Sequence, residues 1–74
     1  MKKKIQTLAK KLGVKFTDET IGYAVIYFDA PEGYIFAATR EKSLVYGFDN
    51  YPDETRADTM RVALADLQKG LIPA

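Results

Sequence analysis

At 74 residues the chain is one domain, read as a single unit over 1–74. A lone hydrophobic core is marginal at this size, so such domains lean on disulfides, metals or oligomerisation. The chain has no Cys and no His, which excludes a disulfide and a thiolate metal site and removes both the commonest metal ligand and the usual neutral-pH general base. The net charge of +1 conceals an asymmetry: residues 1–15 carry six lysines and no acid, while residues 16–74 sum to −5.

The first element is a helix over about residues 2–12. Ile5, Leu8, Ala9 and Leu12 fall at i, i+3, i+4 and i+7, a narrow apolar stripe. Lys3, Lys4, Lys10 and Lys11 lie away from that stripe. Gly13 is placed to cap the helix, with Val14 making the contact of a Schellman turn. The basic start of MKKKIQTLAKKLG lacks the apolar segment a signal peptide needs, because Lys10 and Lys11 interrupt it. The expectation is a cytoplasmic protein without a membrane span.

FTDET follows, with Asp18 and Glu19 read as solvated turn residues. IGYAVIYFD (21–29) is β-branched and aromatic and predicts a strand. In Ala30-Pro31-Glu32-Gly33, Pro31 presets φ at the second turn position and Gly33 allows the chain to re-enter the sheet. A second strand is expected over 34–39, a short hairpin loop over 40–43, and a third strand over about 43–49. The DNYPD segment is a break: Asp49 is a turn former and Asp53 a helix N-cap. The second helix, about 54–69, presents Ala57, Met60, Ala63, Leu64 and Leu67 to the core and ends at Gly70, with Leu71 folding back and Pro73 preventing continuation.

The expected fold is therefore α+β with two layers in the order α-β-β-β-α. A three-stranded antiparallel sheet carries both helices on one face. Four-residue hairpin loops set the alternation of side chains. They place Ala24, Ile26, Phe28, Ile35, Ala37, Leu44, Tyr46 and Phe48 beneath the helices. Tyr23, Val25, Tyr27, Tyr34, Phe36 and Val45 then gather on the other face, which no third helix covers. Contiguous exposed apolar surface marks an interaction site, and Tyr suits it with an apolar body and a polar tip. These six residues are the expected partner-binding set, for a homodimer or a protein partner.

No catalytic constellation emerges. Ser-His and Cys-His pairs are impossible without His or Cys, and the chain carries no phosphate-binding glycine motif and no calcium loop. No catalytic, metal or cofactor-binding residue is assigned, and the expectation is a protein that is not an enzyme. The alternative is a nucleic-acid-binding domain that contacts phosphates through Lys3, Lys4, Lys10 and Lys11. The α-β-β-β-α order resembles that of double-stranded RNA-binding domains in topology. Those domains place a lysine-rich N-terminus on the second helix, where this chain has Asp53-Glu54. The aromatic hairpin with LVYGFD, followed by ETRADTMRVALADLQKGL, resembles small bacteriophage and prophage proteins over about residues 21–72. That resemblance implies a bacterial or viral cytosolic accessory protein that binds a host component or itself.

Overall fold

The computed structural model describes residues 2–21, 23–47 and 53–74, with side chains described outside 19–24 and 53–57. The expected class is observed: a small α+β domain with two helices and a three-stranded antiparallel sheet. The elements are α1 (Lys2–Leu12), β1 (Lys15–Ile21), β2 (Tyr23–Asp29), β3 (Tyr34–Phe36), β4 (Ser43–Gly47), α2 (Asp53–Gln68) and β5 (Leu71–Pro73). The order is thus α-β-β-β-β-α-β among the described residues, rather than α-β-β-β-α.

α1 buries Ile5 and Ala9 and packs Leu8 and Leu12 against the same core. It ends as its sequence requires. The Val14 N–H donates to the Ala9 carbonyl at 2.9 Å and the Gly13 N–H to the Lys10 carbonyl at 3.2 Å, the paired bonds of a Schellman motif. Gly13 has φ 75°, the left-handed conformation that favours a residue without Cβ.

β1 was not foreseen. KFTDETI holds two large apolar residues, Phe16 and Ile21, five positions apart and separated by charged and hydroxyl side chains, so its alternation is faint in the sequence. The strand exists because β2 offers it a full ladder, from Lys15↔Asp29 to Ile21↔Tyr23. Phe16 lands directly opposite Phe28, and the two rings stack with centroids 5.3 Å apart, a contact worth about 0.5–1.5 kcal/mol beyond area burial. Asp18 is thereby a strand residue and not part of a turn. Its carboxylate meets the Lys2 ammonium at 2.6 Å, tying β1 to the start of α1.

The second correction concerns the neighbours of β2. The central sheet runs β1-β2-β4, so β2 pairs directly with β4, with Phe28↔Leu44 and Tyr27↔Val45 in register. The segment 34–39 does not join this sheet. Only Tyr34–Phe36 is extended, and it pairs with β5 in a separate two-stranded sheet. The turn before it also differs from expectation. The Tyr34 N–H donates to the Pro31 carbonyl at 3.1 Å, so Pro31 is the first turn residue and Gly33, with φ 88°, occupies the third position, where a positive φ is required. After β3 the chain reverses through a tight turn in which the Arg40 N–H reaches the Phe36 carbonyl at 2.7 Å. Arg40 takes φ 59° there.

α2 buries Ala63 and Leu67 and packs Met60 and Leu64 on the core, as its spacing predicts; the side chains of Ala57 and Asp53 lie outside those described. Gly70, with φ 79°, ends the helix. The chain then enters β5 rather than simply folding back. The Ala37 N–H binds the Gly70 carbonyl and the Ala74 N–H binds the Gly33 carbonyl. Alternation along an antiparallel ladder makes Tyr34↔Pro73 a pair without backbone bonds between them. Pro73 therefore costs the ladder nothing.

One core joins the layers: Ile5, Ala9, Val14, Ile26, Phe28, Ala30, Phe36, Leu44, Ala63 and Leu67 form a single buried cluster. Both helices contribute to it together with one face of the central sheet, so the helices share that face.

Candidate interaction surfaces

The register of β2 and β4 defines the uncovered face. The Ala30 N–H donates to the Lys42 carbonyl, which makes residues 30 and 42 a hydrogen-bonded pair. Tyr27↔Val45 and Val25↔Gly47 are then the closer, non-hydrogen-bonded pairs, with Cα atoms about 4.5 Å apart. β1 adds Thr17 opposite Tyr27. The outcome is a cross-strand row, Thr17-Tyr27-Val45, on the side away from both helices. At one end of this face the Ser43 hydroxyl donates to the Asp29 carboxylate at 2.9 Å.

The six residues expected to form a partner-binding set do not form one surface. Val45 is 59% exposed and Tyr27 is half-buried on the outer face. Val25 lies on that face but is only 7% exposed, so it offers little to a partner. Tyr34 is 45% exposed but belongs to the β3–β5 sheet. Phe36 is a core residue with no exposed surface, contrary to its expected place among the outer rings. Because β3 pairs with β5 and not with β2, its pleat is independent of the central sheet, and Phe36 points into the core. The side chain of Tyr23 lies outside the described residues, as do Phe48, Asp49 and Tyr51. Sequence reasoning missed Thr17, because one of several polar residues in KFTDETI carries no signal of the ring it will face.

On the inner side, the Tyr46 hydroxyl donates to the Asp66 carboxylate at 2.5 Å. Tyr46 also meets Phe28 edge-on, with centroids 6.0 Å apart. Burial, then the hydrogen bond to Asp66 and its negative charge, raise the Tyr46 pKa well above its ordinary value of 10.0. The pair clamps β4 to α2. It is structural in its geometry, since the phenol is a satisfied donor to a neighbouring element.

The lysines assigned to the nucleic-acid alternative are all exposed, but they divide between two places. Lys3, Lys4 and Lys11 line a groove between α1 and α2. Lys10 lines a separate hollow with Gln6, Ala9, Val14 and Phe16. Both lie on the helical side of the domain, whereas Tyr27 is on the far face of the sheet. No group of three or more Asp or Glu that could hold a metal ion occurs among the described residues. No helix among them is long and apolar enough to cross a membrane. The chain matches no family model, no curated protein and no solved structure.

Proposed function

We propose that this chain is a non-enzymatic interaction module that self-associates through the outer face of its central sheet, with Tyr27 and Val45 as the contact residues. The observation that carries this reading is the Thr17-Tyr27-Val45 row opposite the helical layer, with Val45 59% exposed. A three-stranded sheet between helices and water is a thin structure, and a chain of 74 residues without Cys gains most from a partner that adds buried apolar area, at about 25 cal/mol per Å². A second copy supplies the same row. Face-to-face packing then converts a two-layer domain into one with a second, sheet-on-sheet core.

Sedimentation velocity across a wide concentration range tests this. The wild type is expected to shift from monomer to dimer as concentration rises, and Tyr27→Ser/Val45→Ser to remain monomeric with an unchanged circular dichroism spectrum. A wild type that stays monomeric up to about 1 mM, the affinity corresponding to only about −4 kcal/mol, overturns the reading.

A further inference from the structure

We propose that the groove between α1 and α2 binds a single-chain anionic amphiphile, a monomeric alkyl carboxylate or alkyl phosphate. Its chain lies along Leu8 and Leu64 and its head group meets Lys3, Lys4 and Lys11. The groove is separate from the outer sheet face and does not depend on self-association.

Three observations lead here. First, an open groove of about 650 Å³ lies between α1 and α2, room enough for an extended alkyl chain laid along the surface. Second, its lining is divided by chemistry. Leu8 and Leu64 are half-buried and packed on the core, giving an apolar floor. Lys4, Thr7 and Lys11 follow one flank of α1 at i, i+3 and i+7, and Gln68 of α2 faces them. Among the described residues no acidic side chain lines the groove. Among the described residues the ion pairs are Lys2–Asp18 and Arg61–Asp58, and neither involves Lys3, Lys4 or Lys11. Third, Lys3 and Lys4 stand in the first turn of α1, which has no acid. Cations at a helix N-terminus oppose the macrodipole, so these two lysines do not serve the stability of the helix that carries them.

The chemistry selects against other anions. Among the described residues no aromatic ring lines the groove, so a nucleic-acid base finds none of them to stack on, and Lys10 lies elsewhere. An inorganic anion would leave the apolar floor unused. An alkyl chain with one charged end uses both parts, with the lysine stems adding apolar contact along its length.

The test is an isothermal and NMR titration of the full chain with dodecanoate and with dodecyl phosphate, each below its micellar threshold. Butyrate, inorganic phosphate, dodecyl maltoside, a single-stranded oligonucleotide and anionic vesicles serve as comparators. Saturable one-to-one binding of the two long anions is expected, with shifts at Leu8 and Leu64, weakened at least tenfold by added salt and tenfold or more by Lys4→Glu/Lys11→Glu. Both lysines are exposed, so this variant should keep the wild-type melting temperature, and Lys10→Glu should bind as the wild type does. Absence of saturable binding overturns the proposal. So does equal binding of the neutral detergent, equal binding by the charge-reversed variant, or binding confined to the oligonucleotide or to vesicles.

Discussion

Replacing Tyr46 by Phe removes one oxygen and leaves the ring. The phenol donates to the Asp66 carboxylate across the β4–α2 boundary at 2.5 Å. Hydrogen bonds to charged groups contribute about 1.5–3 kcal/mol, and partial exposure of this pair moves the expected loss to about 1–2 kcal/mol. In a domain of this size each kcal/mol shifts the melting temperature by about 4–8 °C, so Tyr46→Phe should melt roughly 10 °C lower. The ring contact with Phe28 survives the substitution, which isolates the hydroxyl. Asp66→Asn completes a double-mutant cycle, with an expected coupling of about 1 kcal/mol. The pH dependence supplies an independent check. The folded-state pKa of Tyr46 is raised above 10.0, so its stabilisation is fully present below pH 10. As pH rises further the unfolded chain loses this proton while the native state keeps it. Tyr46 therefore removes stability at up to about 1.4 kcal/mol per pH unit. Chemical denaturation between pH 7 and 11 should show a steeper decline for the wild type than for Tyr46→Phe. Additive single mutants, or identical declines, would refute the clamp.

Phe28→Ala removes a side chain with no exposed surface that touches both Phe16 and Tyr46. A loss of about 3–5 kcal/mol should leave the domain largely unfolded at 25 °C by circular dichroism. Gly70→Ala meets no atom within 4 Å, so its cost is the left-handed backbone alone, about 1–2 kcal/mol, read as a lower denaturant midpoint at constant slope. Arg40→Gly tests the opposite sign: the exposed Arg40 already holds φ 59°, and relief of that strain should raise stability by up to about 1 kcal/mol in the same assay. Lys2→Ala, which breaks the ion pair with Asp18, should change stability by less than about 1 kcal/mol, and by less still at high salt.

The sequence by itself determined what is encoded locally. The stripe of Ile5, Leu8, Ala9 and Leu12 and the capping Gly13 set α1. Met60, Ala63, Leu64, Leu67 and Gly70 set α2 from residue 60 onward. Alternation placed Ile26, Phe28, Leu44 and Tyr46 inward and Tyr27 and Val45 outward. Only the tertiary structure decided which strands pair: β2 passes over β3 to reach β4, and β3 finds β5 at the far end of the chain, and such a choice of neighbour leaves no periodic trace in the sequence. KFTDETI becomes a strand because β2 completes its hydrogen bonds and Phe28 receives Phe16. Phe36 turns inward because Leu71–Pro73 draws β3 into a second sheet. The same separation shaped the candidate sites. Tyr27 and Val45 were legible through their own period of two. The meeting of Lys4 and Lys11 with Leu64 required two helices far apart in sequence to pack side by side.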